Sequence, residues 1–160
     1  MRVGFGYDVH ILKENRKLIL GGVEIKYNLG LYGHSDADVL THAIMDAILG
    51  AAARGDIGHL FPDTDSNFKD ADSIDLLKTV VREIEREYSI TNIDATIVAQ
   101  EPKLSAYIEK MRENISRACK IDMGQINIKA TTEEGKGISG NKDAMAAYAV
   151  CLIDENNTEA

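Results

Sequence analysis

Three residues able to hold a divalent metal stand in the first third of the chain. The stretch FGYDVH, Phe5 to His10, reads as part of a strand. Residues two apart in a strand project from the same face, so Asp8 and His10 stand side by side. A carboxylate beside an imidazole suits a metal ion or makes an ordinary surface hydrogen bond, and the pair alone admits both readings. His42 offers a third ligand: in DVLTHAIMDAIL it lies on the flank opposite Leu40, Ile44 and Ile48, about a turn from Asp38 and Asp46. Asp8, His10 and His42 would make a two-histidine, one-carboxylate set. Three protein ligands with an open position describe a catalytic zinc site, whereas structural zinc usually fills all four. The competing reading bonds His42 to Asp38 or Asp46, and Asp46 can also serve to orient a metal-bound His42. His34 and Ser35 precede the same helix, where free N–H groups favour an anion. His59 has no paired neighbour and receives no role.

These side chains must be carried by strands and helices, and the chain supplies both in alternation. Met1 to His10 reads as a strand, and KLILGGVEI as a second strand region interrupted by Gly21-Gly22. Ser35 followed by Asp38 resembles a capping box, with aspartate in the usual Glu/Gln place. The helix that follows has Leu40, Ile44, Ala47, Ile48 and Ala51 as its buried stripe, and Gly55 can end it. DIGHLFPDTDSNF reads as a loop. A second helix is expected from about Ser73 to Tyr88, with Ile74, Leu77, Val81, Ile84 and Tyr88 inward. IDATIVAQ reads as a strand, and Pro102 to Ala118 as a third helix with Tyr107, Ile108, Met111, Ile115 and Ala118 inward. QINIKATT reads as a strand and EEGKGISGN as a loop. In AMAAYAVCLI the alanines favour helix, while Val150, Cys151 and Ile153 favour strand; strand is the expectation. The class is α+β with α/β-type layering, a mixed β-sheet with helices packed on one face.

With 160 residues and no repeat or linker, residues 1–160 are expected to form a single catalytic domain with a real core. A net charge of −8 argues against nucleic acid or an anionic membrane as partner. It does not exclude a phosphorylated substrate if metal ions supply local positive charge. Cys119 and Cys151 have no metal-ligand spacing and read as buried thiols of a reducing cytoplasm. No apolar run approaches the ~20 residues of a membrane span.

GYDVH, GHSDADVLTHAIMDAILGAAARGDIGHLFPDTD, VAQEPKLS and KATTEE follow one another in an order and spacing similar to the 2-C-methyl-D-erythritol 2,4-cyclodiphosphate synthase family. The resemblance covers essentially the whole chain and implies a fold related to the ferredoxin-like class. It implies zinc on Asp8, His10 and His42. It puts substrate phosphates against Asp8, His10, His34 and Ser35. The methylerythritol part would lie against Asp56, Ile57, Gly58, Phe61, Pro62, Asp63, Thr64 and Asp65. The cytosine pocket would be Ala99, Gln100, Glu101, Pro102, Lys103, Leu104 and Ser105. Thr131, Thr132 and Glu133 would surround the nucleotide phosphates, and Glu134 would bind magnesium or manganese. Ile138 and Asn141 would close the set, standing where the family often has an aromatic residue and an arginine; Lys142 is the cation nearest that vacancy, and Phe5 stands where histidine is common.

The activity so implied is a cyclisation. The 2-phosphate of 4-diphosphocytidyl-2-C-methyl-D-erythritol 2-phosphate attacks the β-phosphorus of its own diphosphate, and CMP leaves. Phosphoryl transfer asks mainly for positioning and charge neutralisation, with His34 and Thr132 as transition-state stabilisers. The resemblance further implies a cytoplasmic homotrimer with active sites between subunits. On residue chemistry alone, a zinc hydrolase or a zinc-stabilised binding protein stays open.

Overall fold

Alternation in the first strand decides what faces what. The computed structural model describes residues 1–62, 64 and 71–156. Strand β1, Arg2–Lys13, turns Gly4, Gly6, Asp8 and His10 towards the helices, and Val3, Phe5 and Tyr7 away from them. It pairs antiparallel with β7, Ala144–Glu155, from Arg2 opposite Ile153 to Ile11 opposite Ala144. Strand β5, Tyr88–Val98, lies antiparallel on the other side of β7, and β6, Ile126–Thr131, runs parallel to β5. A short β4, Gly30–Leu31, completes the order β4-β1-β7-β5-β6, while β2, Leu18–Leu20, and β3, Val23–Ile25, form a separate ribbon.

The helices cover one face of this mixed sheet. Helix α1, Val39–Ala52, lies along β1 and β7, and nearly every residue of it is buried, Thr41 and His42 among them. A one-turn α2, Ile57–Leu60, follows. Helix α3, Ser73–Ile84, packs on α1 and on α4, Ile108–Cys119, which crosses from β5 to β6. A last single turn, α5, Gly137–Gly140, precedes β7. Leu40, Ile44, Met45, Ile48, Leu77, Ile84, Ile93 and Ile97 are wholly buried between the layers. The opposite sheet face is uncovered and apolar. Val3 is 67% exposed and Phe5 63%, and Tyr148 lies 4.9 Å from Tyr7 between ring centres.

Several element boundaries differ from the sequence reading, each for a local reason. Asp38, not Ser35, caps α1: its Oδ1 accepts from Thr41 N, and its two oxygens also accept from Gly21 N and Gly22 N. No capping box forms at Ser35. Helix α1 ends at Ala53 in the left-handed conformation rather than at Gly55. Helix α3 stops at Ile84, and Tyr88 opens β5, whose β-branched and aromatic run YSITNI begins well before Ile93. Tyr88 is part-buried from a strand rather than from a helix. Helix α4 starts at Ile108 instead of Pro102, leaving Pro102, Lys103, Leu104 and Ser105 to line a pocket. DIGHL and GISG each contain a single helical turn where loops are expected. The alanine-rich last element is a strand, as expected; Ala147 and Ala149 are small because α1 rests on them.

Both cysteines are buried thiols. Burial, with Cys151 adding to it, pushes the Cys119 thiol far above its ordinary range, and burial pushes Cys151 up to about 12. A thiol-reactive dye at pH 8 is therefore expected to label neither cysteine in the native protein and both after unfolding in urea. A second expectation concerns Gly6. A Cβ there would sit 1.9 Å from the Ala43 carbonyl oxygen and 2.7 Å from Ala47 N, both backbone atoms. Gly6→Ala is expected to cost about 3 kcal/mol or more in urea unfolding, because neither neighbour is a side chain that can swing away.

Candidate metal centre and second pocket

Strand β1 and helix α1 bring three potential ligands to one point. Asp8 Oδ2 lies 3.0 Å from His10 Nε2 and 2.9 Å from His42 Nδ1, and the two ring nitrogens are 3.3 Å apart. Ligands on one tetrahedral ion with bonds of ~2.0 Å stand ~3.3 Å from each other, so the donor set and its spacing fit a single divalent metal. Burial works against ionisation of Asp8, but hydrogen bonds from both histidines and their charges outweigh it and hold its carboxyl well below the usual range. His10 Nδ1 bonds the Tyr32 carbonyl at 3.0 Å, and His42 Nε2 lies 3.2 Å from Ser35 Oγ and 3.0 Å from Ser73 Oγ. The second nitrogen of each ring is thus engaged, the arrangement by which proteins fix ligand histidines.

The cluster opens into a cleft of about 280 Å³ lined also by Gly33, His34, Ser35, Ile57, Gly58, Phe61 and Leu76. Asp46 does not reach His42. Its Oδ1 accepts from Ile57 N at 2.8 Å and so ties the α2 turn to α1. Asp38 likewise spends its carboxylate on the helix cap, and His42 gives it only the backbone bond from N to the Asp38 carbonyl. Both expected alternatives for His42 are therefore replaced by Asp8 and two serines. Asp56 caps the α2 turn by accepting from His59 N. Pro62 and Thr64 are exposed, whereas Asp63 and Asp65 lie outside the described residues.

A second cleft, about 480 Å³, opens where β5 and β6 end. It is lined by Ala99, Gln100, Pro102, Lys103, Leu104, Ser105 and Ile108 with Ala130, Thr131 and Thr132. Beside it Gln100 Oε1 accepts from Gly135 N, and Thr132 Oγ1 donates to Glu134 Oε1. Glu133 turns the other way, accepting from Ser139 N, Ser139 Oγ and Gly140 N of the turn Gly137–Gly140. Lys142 pairs with Glu101 at 2.8 Å, while Ile138 and Asn141 are exposed. The two clefts share no lining residue, and His34 lines the first while Thr132 lines the second. They do open at the same end of the sheet, since His10 and Val98 sit opposite the neighbouring residues Met145 and Ala146 of β7.

Two residues lining the first cleft and one buried behind it were not legible in the sequence. Leu76 looks like any helix apolar residue. Ser73 looks like any helix-start serine. Gly33 carried a faint signal as a glycine beside a histidine: a Cβ there would approach His10 Cε1 to 2.9 Å, so only glycine leaves the ring its place.

Comparison with known proteins now places the chain. Residues 1–154 match the model of the YgbB family. The 2-C-methyl-D-erythritol 2,4-cyclodiphosphate synthase of Clostridium perfringens is 60% identical over 154 residues, covering 96% of this chain and 99% of that one. The bifunctional IspDF of Campylobacter jejuni superposes with a TM-score of 0.93 at 44% identity, over 97% of this chain and 42% of that one. IspF of Plasmodium falciparum, solved as a CDP complex, gives 0.85 at 38% identity, covering 98% and 97%. Matched by the family model to residue 154 and by relatives of that name along nearly its whole length, the chain belongs to the YgbB family of 2-C-methyl-D-erythritol 2,4-cyclodiphosphate synthases.

Proposed function

We infer that the chain converts 4-diphosphocytidyl-2-C-methyl-D-erythritol 2-phosphate into 2-C-methyl-D-erythritol 2,4-cyclodiphosphate and CMP in the non-mevalonate route to isoprenoids. The observation that carries this reading is the Asp8–His10–His42 cluster, opening at the same sheet end as a second cleft in a chain of this family. An oxygen of the 2-phosphate bonds to the β-phosphorus, the bond from that phosphorus to the bridging oxygen breaks, and CMP departs with the electron pair. No protein nucleophile enters, and both cysteines are buried away from either cleft.

Asp8, His10 and His42 would hold zinc, and Glu134 magnesium or manganese. Bound there, these ions would supply the charge neutralisation and Lewis acidity that phosphoryl transfer needs. His34 and Ser35 would then hydrogen-bond the phosphates from the cleft wall. If Nδ1 of His42 faces the ion, its proton sits on Nε2, and the Ser35 hydroxyl hydrogen is left to point into the cleft. Asp56 to Gly58, with Phe61 to Asp65, would hold the methylerythritol part. The CDP in the Plasmodium relative supports the second cleft as the cytidine site. There Ala99 to Ser105 would read the base, and Thr131 to Glu133 the phosphates, with Ile138 and Asn141 at the margin. Holding a flexible substrate in a ring-closing pose supplies much of the rate, on the order of the ~7–11 kcal/mol available from good intramolecular alignment.

The same reading makes the protein a cytoplasmic homotrimer and the whole chain one catalytic domain. His34 and Thr132 line separate clefts, and a cleft from each of two neighbouring subunits would bring both onto one substrate. The uncovered face of Val3, Phe5, Tyr7, Tyr148 and Val150 is the surface such an assembly would bury.

Three measurements test these statements. Turnover in heavy-oxygen water, followed by mass spectrometry, is expected to leave CMP and the cyclic product unlabelled. Solvent oxygen in either product, or a linear product, replaces the cyclase with a zinc hydrolase. Metal analysis of His42→Ala is expected to show zinc affinity reduced more than the ~10–100-fold that loss of an outer hydrogen bond costs. Light scattering is expected to give three times the 17.5 kDa chain mass. Tyr148→Glu should yield an inactive monomer, and an active monomer would remove the shared-site arrangement.

A further inference from the structure

We propose that Ser73 and Asp36 are positioning residues for the metal cleft, fixing which nitrogen of His42 carries its proton and aiming the other at Asp8 and His10. The chain of bonds leaves little choice. Ser73 Oγ donates to Asp36 Oδ1. An ionised carboxylate is an acceptor only, so the Ser73 hydrogen is committed to it. Ser73 Oγ, 3.0 Å from His42 Nε2, therefore meets that nitrogen with a lone pair and demands a hydrogen on it. With the Nε2 hydrogen held by Ser73, the hydrogen that Nδ1 gives to Asp8 Oδ2 at 2.9 Å, beside His10 Nε2 at 3.3 Å, is the one a bound cation would displace, leaving the Nδ1 lone pair for the ion.

The surroundings make this a built device rather than a chance contact. Ser73 is fully buried and His42 is 7% exposed, so water does not substitute for the hydroxyl. The Asp36 carboxylate is fixed in turn, accepting from Ser73 N at 2.9 Å and from Asp38 N at 3.2 Å. Its charge polarises the hydroxyl, and through it the imidazole, which strengthens Nδ1 as a donor to a cation. The two ligand histidines are thereby treated differently. His10 bonds a neutral backbone carbonyl, Tyr32 O, and His42 reaches an anion through a serine. Asp36 N also donates to the Ala71 carbonyl, so the same pair fastens the segment before α1 to the start of α3. A purely structural clasp is the rival explanation. It differs in one respect: it does not require His42.

The proposal rests on the metal reading given above, and zinc itself is the probe. Chelator competition should show Ser73→Ala binding zinc ~10–100-fold more weakly than the unaltered chain. Its metal-free melting temperature should stay close to wild type, since the Ser73 N bond to Asp36 survives. The visible spectrum of the cobalt-loaded protein should shift with the altered donor strength of His42. In a His42→Ala background, adding Ser73→Ala should change zinc affinity no further, the non-additivity of residues acting through one another. Equal zinc affinity for wild type and Ser73→Ala, or an equal loss in the His42→Ala background, overturns the positioning role. If Ser73→Ala does not fold, Asp36→Asn decides, because it keeps an acceptor oxygen while removing the charge. A severalfold loss of zinc affinity supports the proposal, and wild-type affinity overturns it. Failure of the unaltered chain to bind zinc refutes the metal reading instead, so the two failures are distinct.

Discussion

Helix α1 rests on β1 so closely that Gly4 and Gly6 have no room for a side chain; an added Cβ would reach the backbone of Ala47 and Ala43 at 1.9 Å. The seam has alanine on the helix side, Ala43, Ala47 and Ala51, and glycine on the strand side. As β1 climbs from Gly4 through Gly6, it meets progressively earlier turns of α1, and where the glycines end the seam delivers Asp8 and His10 against His42. The separations within that cluster are therefore set by two rigid elements locked through their backbones, which is how a site acquires ligand spacing tight enough for one small ion. Any residue that pushed the helix outward would widen the cluster first, because the ligands sit at the end of the seam.

The electrostatics follow from that placement. Around the cluster the carboxylates of Asp8, Asp38 and Asp46 are each assigned. Asp8 is kept ionised by two imidazoles, while Asp38 and Asp46 are spent on backbone N–H groups. Burial and Asp36 push Asp38 up while Thr41, Gly22 and Gly21 pull it down. Burial comes first for Asp46 as well, opposed by Ile57 N. With a net charge of −8, the chain as a whole repels a substrate carrying several phosphates. Bound cations at the clefts are the natural way to reverse that sign locally.

The sequence showed the chemistry of the first cleft better than its mechanics. Period-two alternation was enough to set Asp8 beside His10, and period 3.6 to free His42 from the apolar stripe; both patterns are local. The mixed α+β class and the strand character of AMAAYAVCLI were also legible. What local pattern cannot carry is a partner in another element. In SDAD both Ser35 and Asp38 suit a helix cap, and only the two oxygens of Asp38 could also serve Gly21 and Gly22. Asp46 was expected near His42, yet a backbone N–H on the next turn claimed it. Ser73 gave no signal at all, since nothing near it in sequence points to residue 36 or 42.

The path of the sheet has a consequence for the order of folding. Asp8, His10 and His42 stand close together in sequence. The strand carrying two of them, however, sits between a β4 of two residues and β7, which occupies positions 144 to 155. Without that distant strand β1 has almost no ladder to join, even with the glycine seam holding it against α1. The site is therefore completed by a pairing of long sequence separation, the kind of contact that forms late in folding.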